Sequence, residues 1–142
     1  DEGLQAIAHW LMARRTEGVL PHEIGVFVRS AKQLDRARRG VEAAGLSHKT
    51  LDETVDTTVG RVSISTMHLA KGLEFRCVAV IACDDEVIPL QERIEAVVDD
   101  SDLEEVYNTE RHLLYVACTR ARDRLLVTAA APASEFLDDM KI

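Results

Sequence analysis

Between residues 62 and 75 the chain places Thr66, His68 and Lys71 within six positions of one another, with Gly72 directly after. A hydroxyl, an imidazole and an ammonium on one short turn are donors suited to phosphate oxygens. From these residues alone, a satisfied structural imidazole explains His68 as well as a ligand role does. Two arginines stand out by position. Arg29 ends the apolar run I-G-V-F-V, and Arg120 sits in T-R-A-R at the end of a helical stretch. On a wheel of 3.6 residues per turn, Arg120 falls about 100° from Leu103, on the flank of the apolar face. From there a guanidinium could reach across an interface, or simply complement the carboxyl end of the helix dipole. Glu110 points into the apolar face on the same wheel. A buried carboxylate needs a partner, so backbone donors or a basic side chain must meet it.

The chain lacks a G-x-x-x-x-G-K-[ST] or G-x-G-x-x-G loop, so it has no visible means of holding a nucleoside triphosphate alone. The segment V-A-V-I-A-C-D-D-E (78–86) imitates an apolar strand whose following acids could hold magnesium. Any buried strand running into an acidic loop looks the same. His9, His22, His48 and His112 have no metal-ligand spacing. Cys77, Cys83 and Cys118 form no Cys-x-x-Cys pair, which argues against a zinc ribbon or a disulfide framework and fits a reducing, cytoplasmic setting. No metal site is expected.

With 142 residues, 46% of them hydrophobic and 30% charged, the chain is expected to form one domain over 1–142. It opens on Asp1 rather than methionine, which suggests a fragment of something longer. No apolar run approaches the roughly 18 residues of a membrane span, and no signal pattern is visible. The net charge of −8 is unevenly spread. Residues 84–110 hold eleven acids against Arg93 alone, whereas 29–49 hold six bases against two acids. A local basic surface can therefore exist on an acidic chain. The acidic stretch 92–105 reads as a solubilising connection.

Leu4, Ile7, Ala8, Leu11 and Met12 follow a helical period, and Gly18 and Pro21 break it. Strands are expected over 24–28, 47–51, 62–65, 77–82 and 125–128, and helices over 31–44 and 103–121. Gly45 occupies the place of a left-handed helix cap. Apolar strands alternating with helices give an α/β fold with a mostly parallel sheet covered on both faces. Function is then expected just after the strands' carboxyl ends, or at helix ends facing the same edge.

The segment V-S-I-S-T-M-H-L-A-K-G-L-E-F (62–75) resembles motif V of superfamily 1 DNA helicases of the UvrD/Rep/PcrA type. E-R-H-L-L-Y-V-A-C-T-R-A-R-D-R-L-L-V-T (110–128) resembles their motif VI, and I-G-V-F-V-R-S-A-K-Q (24–33) a looser motif IV. The resemblance runs over 24–129 and implies the second RecA-like motor domain, a three-layer α/β/α unit. It implies that ATP and Mg2+ bind only together with an N-terminal RecA-like domain of the same polypeptide. Arg120 and Arg29 would address the γ-phosphate as catalytic residues. Glu74 would face the sugar, with Gly72 lining the cofactor site. Thr66, His68 and Lys71 would face single-stranded DNA. Alone, the chain would be inactive.

Ala31 stands where the family pattern has Asn, and His112 where it has a second base. Only 36 residues lie between Arg29 and Thr66, too few for the large accessory subdomain that UvrD, Rep and PcrA insert there. Two other readings stay open at this stage. One is a non-catalytic nucleic-acid or protein interaction module derived from a helicase. The other is the helicase part of a nuclease-fused repair factor, although no D-…-E-x-K cluster is present. Nothing in the sequence separates DNA from RNA as the strand.

Overall fold

Five strands and four helices follow one another in the computed structural model, which describes residues 2–81 and 91–128. Helix α1 (Glu2–Thr16) leads into β1 (Ile24–Val28), α2 (Leu34–Ala43), β2 (His48–Thr50), β3 (Val62–Thr66) and β4 (Phe75–Val80). Helices α3 (Gln91–Glu95) and α4 (Asp100–Cys118) precede the last strand, β5 (Ala121–Val127). The sheet order is β2-β3-β1-β4-β5 and every pairing is parallel.

Alternation along the strands makes two cores. Ile24, Val26 and Val28 of β1, Val62 and Ile64 of β3, and Cys77, Ala79 and Ile81 pack against Ile7 and Leu11 of α1 and Ala37 and Val41 of α2. Phe27, Phe75, Val78 and Val80 face the opposite side, where Met67, Ala70 and the α4 residues Leu114, Ala117 and Cys118 cover them. The result is the three-layer α/β/α arrangement expected from the sequence. Every residue of β1 is buried because β1 is the central strand, paired with β3 and β4. Its Gly25 leaves the gap that the Phe75 ring fills: a Cβ there would lie 2.5 Å from Phe75 Cδ2. The Phe75 ring also meets Phe27 edge-on, with centroids 6.0 Å apart.

Several boundaries differ from the sequence reading. The helix expected over 31–44 is a single 3-10 turn (Ala31–Gln33) followed by α2, and Gly45 after it takes φ 76°. Met12, assigned to the apolar face of α1, is exposed. The strand expected over 77–82 begins two residues earlier, at Phe75. Part of the acidic connection is helical. Asp99 caps α4, its carboxylate accepting the Asp102 N–H at 2.9 Å, and Asp100 and Asp102 lie in the first turn. Acids there offset the positive end of the helix dipole. Helix α4 stops at Cys118, so Ala121 belongs to β5 and not to the helix. Strand β5 is an edge strand whose Arg122, Asp123 and Arg124 are exposed, so its length shows in backbone pairing and not in apolar pattern. Cys83 and the acids at 84–86 lie outside the described residues. No helix among the described residues is long and apolar enough to cross a membrane.

Candidate functional site

The parallel sheet sorts the candidate residues onto two edges. Arg29 follows the carboxyl end of β1, while Thr66 ends β3 and His68 follows it. Arg120 precedes β5, and Glu74 precedes β4, so both lie at the amino ends of their strands. The segment 67–74 connects them, leaving the carboxyl end of β3 and delivering the chain to the amino end of β4. Its anchor points are Met67 and Ala70, both buried under α4. Lys71 and Gly72 form its turn, and Gly72 takes φ 85°, a conformation glycine adopts without steric cost.

At the carboxyl edge, Arg29 and Glu110 form a buried bidentate pair. Arg29 Nε donates to one carboxylate oxygen at 2.8 Å and Nη2 to the other at 2.6 Å. Arg29 is 3% exposed and Glu110 0%. The partner that Glu110 requires is therefore Arg29, and a second one is Arg93 of α3, whose Nη1 donates at 2.8 Å. The remaining Arg29 nitrogen, Nη1, lies 3.0 Å from His68 Nε2. Two guanidinium groups on one carboxylate leave positive charge in excess beside the exposed His68. The His68 pKa is lowered from its ordinary 6.5, first by partial desolvation of the ring and then by the Arg29 charge, with Glu110 opposing. Thr66 is half-buried, and Lys71 is exposed.

At the amino edge, Arg120 stands in the turn between α4 and β5, and a helical wheel does not apply to it. Its Nε donates to the Val116 carbonyl at 3.2 Å, which satisfies one of the open carbonyls ending α4. Its Nη1 reaches the Leu73 carbonyl at 3.4 Å and its Nη2 the Thr119 hydroxyl at 3.1 Å. The Phe75 N–H donates to the Arg120 carbonyl at 3.0 Å, so the backbone of 73–75 and that of Arg120 are bonded together. Glu74 is exposed between those contacts. All acceptors of Arg120 are neutral oxygens, and no carboxylate among the described residues neutralises it. A half-buried cation of this kind fits an anionic ligand such as a phosphate group.

The structure thus bonds the backbone on either side of Glu74 to Arg120, and separately sets Arg29 against His68, with Thr66 opposite Val28 in the strand register. Arg29 and Arg120 are not brought together. Phe75 pairs with Ala121, and Val80 lies beside Phe27. At about 3.3 Å per residue, the two arginine backbones are roughly 25 Å apart along the strands. Only part of the site therefore follows the strand-end expectation. Helix α4 runs back across the sheet, so its carboxyl end, with Arg120, arrives at the opposite edge. Sequence reasoning missed Arg93 as a site residue. Its one signal was to be the single base among the eleven acids of 84–110.

Among the described residues, the cysteines are not activated as nucleophiles. Burial raises the Cys118 thiol to about 11 and raises Cys77 as well, so neither is a thiolate nucleophile at neutral pH. No group of three or more His, Cys, Asp or Glu gathers for a metal among the described residues. A groove of about 390 Å³ between α3 and α4 is lined by Arg93, Ala96, Val97, Asp102, Glu105 and Val106. Its two acids disfavour a nucleotide.

Residues 22–131 match the family model of the UvrD-like helicase C-terminal domain. The chain is 39% identical over 85 residues to the ATP-dependent DNA helicase UvrD1 of Mycobacterium bovis, covering 60% of this chain and 10% of that protein. It is 41% identical over 86 residues to the ATP-dependent DNA helicase PcrA of Staphylococcus epidermidis, covering 61% and 11%. Over 134 residues it is 31% identical to the putative ATP-dependent DNA helicase YjcD of Bacillus subtilis, covering 92% and 17%. The chain thus spans between a tenth and a fifth of the length of these curated relatives. Its fold is shared with the C-terminal domain of a possible DNA helicase from Lactobacillus plantarum WCFS1, with TM-score 0.67, 21% identity, and coverage of 95% of this chain and 71% of that one. With the motif residues grouped on two edges of a parallel sheet and the family model matched over most of its length, the chain belongs to the UvrD-like helicase C-terminal domain family.

Proposed function

We propose that this chain is the second RecA-like domain of an ATP-dependent DNA helicase or translocase, working in the cytoplasm with an N-terminal RecA-like domain of the same polypeptide. The observation that carries the reading is Arg120. Its charge is met only by neutral oxygens, and its place is fixed against the backbone on either side of Glu74. ATP with Mg2+, bound together with the first domain, would supply the phosphoryl transfer. Arg120 faces the γ-phosphate across the domain interface, Glu74 faces the sugar, and Gly72 lets the backbone turn beside them. An arginine supplied from across an interface contributes on the order of 10³ to 10⁵ in rate, equivalent to about 4 to 7 kcal/mol.

Thr66 and His68 contact single-stranded DNA on the other edge, and Lys71 reaches the strand from the connecting turn. Segment 67–74 ties this contact to the nucleotide edge. Domain closure on ATP and release after hydrolysis then shift the strand contact, and repeated cycles become stepping.

The domain alone holds no phosphate loop, so the 142-residue chain is expected to show no ATPase above background. In the full-length polypeptide, Arg120→Ala retains ATP binding and loses hydrolysis by about 10³ or more. Hydrolysis surviving within about tenfold would refute the assignment of Arg120. Oligothymidylate binding by the chain should weaken as salt rises, because phosphate contacts release counterions.

A further inference from the structure

A guanidinium has five N–H donors and no acceptor. Arg29 Nη1 lies 3.0 Å from His68 Nε2, so that ring nitrogen must present its lone pair, and the ring proton must sit on Nδ1. His68 is exposed, and its Nδ1 has no partner among the described residues, so this N–H is available to a ligand. Arg29 cannot turn away to release the ring. Its Nε and Nη2 are committed to the two oxygens of the fully buried Glu110, which Arg93 holds from α3. Rotation of the guanidinium would break both bonds and strand a buried carboxylate, which is costly.

We infer that the Glu110–Arg29 pair is a positioning device that holds His68 as the neutral Nδ1–H tautomer and presents that N–H as a donor to a phosphate oxygen of the single strand. This rests on reading His68 as a strand contact. Arg29 and Glu110 act through His68 and are positioning residues. The charged groups facing His68 are Arg29 from the end of β1, Glu110 from α4 and Arg93 from α3. The device therefore joins three elements: a movement of α4 against the sheet changes the hold on the ring. It links the helix that precedes Arg120 to the opposite edge without passing through segment 67–74.

The test is imidazole nitrogen NMR on the 15N-labelled 142-residue chain at pH 7.5, with His68 assigned by loss of its signals in His68→Gln. The expected spectrum shows His68 protonated on Nδ1 and bare on Nε2. A ring protonated on Nε2 in the unmodified chain overturns the inference, and this measurement needs no variant to fold. In Arg29→Gln the ring should pass to the Nε2–H form or to an exchanging mixture, and an unchanged tautomer in a folded variant also overturns it. Oligothymidylate should then shift the His68 signals with the tautomer retained. Binding by Arg29→Gln should fall about five- to tenfold, the scale of one hydrogen bond. An Nδ1–H ring that ignores the oligonucleotide defeats the strand reading and leaves the positioning device standing. An Nε2–H ring that responds to it does the reverse.

Discussion

Glu110 is the residue on which the carboxyl edge depends, because it is fully buried and neutralised by two arginines from different elements. Truncating it leaves Arg29 buried and unpaired. Glu110→Ala should lower unfolding free energy by about 3–5 kcal/mol. Arg93 is 37% exposed, so its bond is screened by solvent and Arg93→Ala should cost about 1 kcal/mol or less. Urea denaturation of the two variants checks the contrast, and equal losses would contradict it. His68 makes stability depend on pH. Its folded pKa lies below 6.5 because partial desolvation of the ring and the Arg29 charge disfavour the imidazolium. The unfolded chain therefore takes up the proton first. The effect is absent above about pH 6.5 and grows as pH falls through that value toward the folded pKa. Relative to His68→Asn, the unmodified chain should lose stability on acidification below pH 6.5. A pH-independent difference between the two would count against the Arg29–His68 contact. Glu110's need of a partner was legible from one helical wheel. The identity of that partner was not, because 81 positions separate Arg29 from Glu110 and only the fold brings them together.

Helix α4 shows what a sequence pattern carries and what it loses. Its apolar face at Val106, Leu114 and Ala117 follows the helical period, but its ends are set by capping and not by apolarity. Asp99 looked like one more acid in a charged run, yet its carboxylate takes the Asp102 N–H and starts the helix. Asp99→Ala should cost about 1 kcal/mol, within the 0.5–2 range of lost caps, as a shift in the urea midpoint; no shift would mean the cap is dispensable. The other end matters for function. Because α4 stops at Cys118, Arg120 is placed by a turn and by backbone bonding to 73–75. Strand β1 was the most legible element, since all five residues are apolar or glycine and all are buried. The 3-10 turn at Met67–Leu69 falls within the short turn that Thr66, His68 and Lys71 share in the sequence. That this segment spans the sheet from one edge to the other follows from parallel pairing, which apolar patterning implied only as a class.

Across the whole molecule, the order of motifs along the chain becomes a division of space. Arg29, Thr66 and His68 occupy the carboxyl edge, while Glu74 and Arg120 occupy the amino edge. The resemblance put both arginines at one phosphate, and the parallel sheet sets them at opposite edges. Distance between motifs is a property of strand direction, and spacing along the chain does not contain it. The measurement that tests this division most directly compares two variants of the full-length polypeptide, Arg120→Ala and the charge-keeping Arg29→Lys, for single-turnover ATP hydrolysis and for oligothymidylate affinity. Arg120→Ala should lose hydrolysis by about 10³ or more with strand affinity retained, and Arg29→Lys should keep hydrolysis within about tenfold while binding the strand more weakly. Equal loss of hydrolysis in both variants would contradict this division.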